Sequence, residues 1–224
     1  MALLGHAWNK LRQDGLKTTW DYSQHWCSER FHDWRHGLST RQWVELAPFG
    51  YDENYHQHDA APYRDLKRIF RALPFDPGAD EVLVDYGSGA GRVVLMAAAT
   101  LPFKSIIGVE LLPSLIALAE ENRQRCKSPL ICEDITFVES DAMAYALPPE
   151  ATKAFFFNPF AGPVLETVLD NLHRQFLAAP RPLTIVFLNP GRARPIIEQR
   201  SWMRPTRTLT DLRYPCQFYE ADTG

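Results

Sequence analysis

Short apolar runs alternate with longer segments of helical periodicity over most of this chain, starting at Glu81. The apolar runs predict five strands: EVLVDYG, SIIGVEL, ITFVES, KAFFFNPF and LTIVFLNP. The intervening segments predict helices: GRVVLMAAATL, PSLIALAEENRQRC and PVLETVLDNLHRQFLAA. This alternation predicts an α/β fold, with a mostly parallel sheet covered by helices on both faces, in which every strand ends at a loop that can carry ligand groups.

The segments on either side of this alternation differ from it. After it, ARPIIEQR predicts a short helix, and RTLTDLR with CQFYEA predicts an antiparallel hairpin at the sheet edge. Before it, APYRDLKRIFRALPF predicts an amphipathic helix that leads into the first strand. The preceding region crowds aromatic residues and histidines among short helical stretches. We therefore expect an N-terminal helical cap over residues 1–61 and one α/β domain over residues 62–224.

Composition limits the partners and the location of the chain. A net charge of −3 does not favour nucleic acid or a membrane surface as a partner. The chain has neither a signal-peptide pattern nor an apolar run long enough to cross a bilayer, so we expect a cytoplasmic protein. The four scattered cysteines have no metal-binding spacing and are expected to be reduced: Cys27, Cys126, Cys132 and Cys216. The oligomeric state is not predicted.

The strand EVLVDYG runs into the most informative local motif, a glycine-rich turn. Gly87, Gly89 and Gly91 alternate with other residues at the point where a strand turns into a helix. Glycine suits such a turn because a Cβ would block positive φ angles or the close approach of a ligand. Nicotinamide enzymes use a related loop, but their GxGxxG or GxGxxA pattern would place Gly or Ala where this chain has Arg92.

Two acidic residues after later strands also fit a nucleoside ligand. Glu110, followed by Leu111, ends the second strand, where a carboxylate can accept hydrogen bonds from both ribose hydroxyls. Asp141 follows the third strand, where it can accept from an adenine amino group while the backbone of Ala142 supports the ring edge. Asp85, before the glycines, can interact with a ligand ammonium group or order water around it.

From about Tyr63 to Tyr219 the sequence resembles the class I S-adenosylmethionine (SAM)-dependent methyltransferases, especially small bacterial members with DxGSGxGR, IGVE, DA, NPF and NP motifs. The resemblance implies a Rossmann-like sheet of seven strands with a final antiparallel hairpin, and SAM as the cofactor. It implies that the cofactor contacts Tyr63, Asp85, Tyr86, Gly87, Ser88, Gly89, Gly91, Glu110, Leu111, Asp141, Ala142 and Asn158. Tyr86 replaces a common leucine, and we favour a packing role for it over stacking on the cofactor.

The fourth strand delivers Asn158, Pro159 and Phe160 to the same sheet edge. Amino-group methyltransferases have a similar NPPY element that holds the substrate amine, and non-SET histone lysine methyltransferases have a looser asparagine–phenylalanine counterpart. The resemblance therefore implies an amine acceptor, on a protein side chain or a small molecule. The second proline and the tyrosine are missing, so O-methylation of a small metabolite stays an alternative.

The N-terminal segment contains further candidates. His56 and His58 can supply a general base, or a metal site together with Asp52 and Asp59, but HxH in a loop is a weak pattern and we predict no metal. Five tryptophans before Pro62 favour the core of a small helical cap over an aromatic cage: Trp8, Trp20, Trp26, Trp34 and Trp43. Two other functions stay open, a nicotinamide-dependent oxidoreductase and a methyltransferase-like binding protein without activity.

Overall fold

A computed structural model describes residues 26–41, 60–158 and 160–223. One sheet of seven strands, in the order β3-β2-β1-β4-β5-β7-β6, dominates this part of the chain. The strands are β1 Val82–Tyr86, β2 Ser105–Glu110, β3 Ile135–Glu139, β4 Lys153–Phe157, β5 Thr184–Leu188, β6 Met203–Leu209 and β7 Cys216–Ala221. β1 to β5 pair parallel with one another, and β7 pairs antiparallel with both β5 and β6.

The helices occupy the predicted places between the strands. Residues 26–36 are helical and are called α1 here. The others are α2 Tyr63–Ala72, α3 Arg92–Ala98, α4 Pro113–Arg125, α5 Gly162–Ala178 and α6 Arg194–Glu198, the last preceded by a 3-10 turn at Gly191–Ala193. Pro113 opens α4 at a position where the missing N–H costs no helical hydrogen bond.

The two faces of the sheet form two separate cores. Leu83 and Phe155 point to the face that is covered by α2, α3 and α4. Val84 and Phe156, their neighbours in sequence, point to the face that is covered by α5. Because the parallel strands are buried on both faces, they are apolar at nearly every position, as the sequence pattern indicated. The α/β class, the seven-stranded Rossmann-like sheet and the antiparallel final hairpin are thus confirmed.

The helix α1 packs against the domain through polar residues, whereas the sequence analysis expected an aromatic core. Glu29 is 3% exposed, whereas Phe31 and Trp34 are 53% and 70% exposed. The prediction of a tryptophan core is therefore wrong for Trp34, because the buried face of the helix carries carboxylates instead of aromatic rings. The guanidinium of Arg30 lies 4.8 Å from the centre of the Trp26 ring. Trp8, Trp20 and Trp43 lie outside the described residues.

The structure also describes the four cysteines and the helices that could span a membrane. All four cysteines are free thiols, and Cys132 and Cys216 are buried. Within the described residues, none of the helices has the length and apolar character required to cross a membrane.

Candidate active site

The carboxyl ends of the parallel strands bring the predicted site residues to one edge of the sheet. The register pairs Asp85 with Gly108 and Glu110 with Glu139, so the glycine turn and the end of β2 lie side by side. On the other side of β1, Tyr86 pairs with Phe156, which places Asn158 just beyond the end of the neighbouring strand. In open α/β sheets this edge, next to the strand at which the order reverses, is the usual ligand site.

The glycine turn adopts a conformation that requires glycine. Gly87, Gly89 and Gly91 have φ angles of 78°, 54° and 82°, in the left-handed region. The N–H groups of Gly87 and Ser88 both donate to the carbonyl of Val109, at 2.8 and 2.9 Å, which joins the turn to β2. The predicted turn is therefore present.

Asp85 is the most strongly perturbed acid of this edge. Its side chain is 1% exposed, and its Oδ2 has no hydrogen-bond partner among the described residues. Burial, and secondarily the nearby charge of Glu110, raises the pKa of Asp85 well above its usual range. A buried carboxylate without a partner favours a cationic group beside it.

The Asp85 carboxyl borders a cavity of about 20 Å³ between the glycine turn and the N-terminal region. Ser88 also borders it, and the Ser88 Oγ is likewise buried without a partner in the described chain. Thr40 and Ala61 line the opposite side. The cavity has room for about one water molecule, so it is a polar recess at the base of the site and not the whole ligand pocket.

Glu110 is positioned by the backbone around it. Its Oε1 accepts from the N–H groups of Leu111 and Leu112 at 2.8 and 3.0 Å, and its Oε2 accepts from the N–H of Gly89 at 2.9 Å. These bonds fix the carboxylate against the glycine turn and leave lone pairs for further donors, because a carboxylate offers about four acceptor sites. Such an acid at the end of β2 suits the two hydroxyls of a ribose.

Asp141 and Ala142 follow β3, as predicted. The Oδ1 of Asp141 accepts from the N–H of Met143 at 2.8 Å, so one carboxylate oxygen holds the local turn and the other is left for a ligand. Ala142 is buried at the edge of the α5-side core. This arrangement is compatible with an adenine contact.

Tyr86 lies on the α5 side of the sheet. Its ring stacks on Phe156 with a centroid distance of 4.8 Å and meets Tyr145 edge-on at 5.9 Å. The side chain is 2% exposed, which agrees with the favoured packing role.

The residues that are predicted to contact the methyl acceptor lie in different environments. Asn158 is half-buried at the sheet edge with a φ of 40°. Phe160 is 4% exposed, and its ring packs edge-on against Phe156, so it belongs to the α5-side core. Its predicted role beside an acceptor stays a prediction. Pro159, His56 and His58 lie outside the described residues.

Arg92 has a structural role that the sequence analysis missed. It is the first residue of α3 and is 3% exposed, yet it is a cation. Its guanidinium forms an ion pair with Glu29, and a second one with Asp33 at 3.2 Å. It also donates to Thr40 Oγ1 at 2.7 Å and to the carbonyl of Ala61 at 2.9 Å. These contacts tie the N-terminal region to the residue that follows the glycine turn.

A sequence signal for this cluster existed. Glu29 and Asp33 are four residues apart within one helical pattern, and this spacing puts two carboxylates on one helix face. An arginine directly after a glycine turn is a partner for such a pair.

Tyr63 belongs to the same cluster. Its hydroxyl donates to Asp33 at 2.7 Å, and the Arg92 guanidinium lies 4.2 Å from the centre of its ring. Burial raises the pKa of this hydroxyl far above its usual range. The predicted contact of Tyr63 with a cofactor stays a prediction. Lys67, one helical turn later, completes a Tyr-x-x-x-Lys spacing of the kind that nicotinamide reductases can use, but it is exposed while the Tyr63 hydroxyl is bound to Asp33.

The residues at this edge fit SAM. The unpartnered carboxylate of Asp85 suits its ammonium group, Glu110 suits its ribose and Asp141 suits its adenine. The left-handed glycines let a ligand approach the backbone closely. Among the described residues there is no group of histidines, cysteines and acids that could hold a metal ion.

One protein-family model matches part of the chain. A family model described as "Histone methylation protein DOT1" matches residues 65–132, which include most of α2, the glycine turn and Glu110. No curated protein sequence matches the chain.

Solved structures match over a larger part of the chain. Ribosomal protein L11 methylase from Lactobacillus delbrueckii subsp. bulgaricus is 15% identical, with a TM-score of 0.51 over 71% of this chain and 78% of that chain. Magnesium protoporphyrin IX methyltransferase from Synechocystis PCC 6803 with bound SAM is 14% identical, with a TM-score of 0.53 over 71% and 79%. Geranyl diphosphate methyltransferase in complex with GPP and sinefungin is 12% identical, with a TM-score of 0.52 over 71% of this chain and 78% of that chain. The chain has the fold of the class I SAM-dependent methyltransferases.

Proposed function

We propose that this protein binds SAM and transfers its methyl group to an acceptor, with an amine of a protein side chain or small molecule preferred. The observation that carries the proposal is the convergence of three features at one sheet edge: the left-handed glycine turn, the buried and unpartnered Asp85, and the anchored carboxylate of Glu110. This set matches a cationic nucleoside ligand better than a dinucleotide, whose pyrophosphate would lie at the glycine turn beside the buried carboxylate of Asp85.

Each chain element has a separate task in this proposal. Asp85 balances the positive charge of the amino acid part, Glu110 holds the ribose, and Asp141 with Ala142 recognises the adenine. When bound, SAM supplies a methyl group that is already activated by the sulfonium. The protein therefore needs mainly to orient the nucleophile and exclude water.

Asn158 supports an amine as the acceptor. It follows β4, directly beside the strand that leads into the glycine turn, and its side-chain oxygen can accept a hydrogen bond. An amide oxygen can accept a hydrogen bond from an N–H group of an amine, and the lone pair of the amine nitrogen then stays available for the reaction. An amine that arrives protonated must release a proton, for which His56 and His58 stay candidate bases. O-methylation of a small metabolite is the alternative, because a hydroxyl can donate to the same oxygen.

Two measurements test the proposal. The first is calorimetric binding of S-adenosylhomocysteine and of NAD to the full chain, in which we expect the homocysteine compound to bind and NAD not to bind. The second is transfer of label from methyl-labelled SAM to proteins, peptides and metabolites. Preferential binding of NAD would overturn the proposal, and cofactor binding without any labelled product would favour an inactive binding protein.

A substitution separates acceptor chemistry from cofactor binding. Asn158→Ala should abolish turnover while the affinity for S-adenosylhomocysteine changes by no more than about threefold, because a residue that acts on the acceptor affects the transition state and not the cofactor complex. An equally large loss of cofactor affinity would assign Asn158 to the cofactor pocket instead.

A further inference from the structure

The strands β4 and β5 are each followed by the dipeptide Asn-Pro, and the two asparagines, Asn158 and Asn189, lie next to each other. The last register pair of these strands is Phe157 with Leu188, so Asn158 and Asn189 are the next residues of each strand. The N–H of Asn158 donates to the carbonyl of Leu188 at 3.2 Å, which keeps the two chains together at this level. Asn189 therefore reaches the carboxyl edge of the sheet beside the acceptor candidate.

Both asparagines have an unusual backbone conformation. Their φ angles are 40° and 54°, and within the described chain they are the two non-glycine residues with positive φ. Asparagine tolerates this region better than most residues, but it is still disfavoured relative to glycine. Backbone strain of this kind concentrates at functional sites. Asn158 and Asn189, adjacent in space, share the feature although 31 residues separate them, which points to a common task.

The two side-chain oxygens are both close to Gly191. A Cβ added to Gly191 would lie 3.9 Å from the Oδ1 of Asn158 and 3.9 Å from the Oδ1 of Asn189. Gly191 itself leaves this volume empty. Both side chains are half-buried, and neither side-chain amide forms a hydrogen bond to the described residues. The fold thus holds two side-chain oxygens without a partner in the described chain, both close to Gly191.

We propose that Asn158 and Asn189 together form the acceptor site and that this site selects a primary amine. This inference rests on the proposed methyltransferase function. A nitrogen between two amide oxygens satisfies both only if it carries two N–H groups, each donated to one oxygen. A primary amine meets this requirement in its neutral form and keeps its lone pair free. A hydroxyl has one donor and would leave one half-buried oxygen unpaired, which costs binding free energy.

The assignment places Gly191 beside the acceptor site. A Cβ at this position would be in ordinary van der Waals contact with both oxygens, and the φ of 38° at Gly191 by itself favours glycine. Asn189, like Asn158, positions the nucleophile. It lies farther from the glycine turn than Asn158 does, because β5 is on the other side of β4 from β1 in the sheet.

The first test uses methyl-labelled SAM and an extract of source cells that lack the gene. One portion is treated with formaldehyde and cyanoborohydride, which converts primary and secondary amines to tertiary amines and leaves hydroxyls intact. We expect the wild-type chain to label the untreated extract and the treated extract to lose that labelling. Equal labelling of both portions would overturn the primary amine while leaving the methyltransferase function intact. Absence of label from both would overturn both proposals.

The second test uses Asn158→Gly and Asn189→Gly, because glycine adopts positive φ without strain and the variants should fold. Each should lower acceptor turnover, as kcat/KM, by about tenfold or more, since each loses one hydrogen bond to the reacting nitrogen. The affinity for S-adenosylhomocysteine should stay within about twofold of the wild-type value.

Gln217→Ala is the matched control, because Gln217 is a half-exposed carboxamide on β7 whose oxygen accepts from Tyr219 at 2.9 Å. Its kcat/KM should stay near that of the wild type. Full activity of Asn189→Gly would overturn the paired site, and so would loss of cofactor affinity in step with loss of activity.

Discussion

Arg92 and Glu29 form an ion pair in which both side chains are almost completely buried, although 63 residues separate them in the sequence. The pair joins α1 to the start of α3, directly after the glycine turn. Since a buried charge is costly unless it is paired and hydrogen-bonded, the two elements hold each other in place. Arg92 thus connects the N-terminal region to the start of α3, next to the glycine turn.

Removal of this arginine should be strongly destabilising. Arg92→Met leaves the buried Glu29 and the half-buried Asp33 without their cation, and breaking such a pair costs about 3–5 kcal/mol of unfolding free energy. Urea unfolding measures the loss. Residues 26–41 should also become accessible to limited proteolysis, because they lose their anchor on the domain.

Arg123→Met is the control for this substitution, because Arg123 pairs with Glu120 at the surface. Its loss should be below about 1 kcal/mol. The anchoring role of Arg92 is contradicted if both variants are equally stable, or if the protease pattern of Arg92→Met matches that of the wild type.

We expect Asp85 to lower the stability of the ligand-free protein and to strengthen cofactor binding. Since the pKa of Asp85 is raised in the folded protein, the folded state binds this proton more tightly than the unfolded chain does. The unfolding free energy therefore falls as pH rises from the usual carboxyl range through the raised pKa. Asp85→Asn removes this loss and should stabilise the ligand-free protein by about 1–2 kcal/mol at pH 8. The gain should shrink toward pH 4, where the wild-type carboxyl is protonated.

The same variant should bind the cofactor poorly. Calorimetry at pH 8 should show a loss of S-adenosylhomocysteine affinity of about tenfold or more, because the charge that faces the ligand ammonium is gone. Asp80→Asn, at an exposed pair with Lys104, should change neither property. A wild-type affinity in Asp85→Asn would remove Asp85 from the cofactor site.

We expect replacement of Glu110 by glutamine to lower both the stability of the protein and its affinity for the cofactor. In Glu110→Gln the side-chain NH₂ would face a backbone N–H that now donates to a carboxylate oxygen, so one donor loses its acceptor. We expect a loss of about 1–3 kcal/mol of stability, measured by thermal unfolding, together with weaker cofactor binding.

Glu139 provides a matched control for that variant. It pairs in register with Glu110 at the end of β3, and it is exposed. Glu139→Gln should leave both the stability and the affinity for S-adenosylhomocysteine unchanged. Equal effects of the two substitutions would mean that the general negative charge of this edge matters and not the anchored position of Glu110.

Gly108 should be required for the close packing behind the glycine turn. A Cβ at this position would come within 2.7 Å of the Phe137 ring and 2.8 Å of the Ser88 Oγ. Gly108→Ala should therefore cost about 1–3 kcal/mol and displace the turn. Gly78→Ala is the control, because its Cβ would meet only the flexible Asp76 side chain at 3.3 Å. Thermal unfolding that ranks the two variants alike would contradict the packing argument.

The sequence was sufficient for the order of elements and for the position of the glycine turn. Both depend on local physics: β1 to β5 are apolar runs bounded by helical periodicity, and the left-handed turn at Gly87 tolerates little else than glycine. Since parallel strands end at one edge, the sequence order alone also predicted that Asp85, Glu110, Asp141 and Asn158 would converge. The antiparallel pairing of β6 with β7 followed from two adjacent strand patterns.

Only the tertiary structure decided which polar groups meet. Periodicity assigns the apolar side of a helix to the core, so it gave Trp34 to the interior, whereas α1 buries Glu29 because a distant arginine compensates its charge. The proximity of the Asn158 and Asn189 side-chain oxygens to Gly191 likewise depends on strand register and on backbone angles that no local pattern encodes. Local sequence determines which elements form, and the pairing of charges and hydrogen bonds between distant residues determines what those elements present to a ligand.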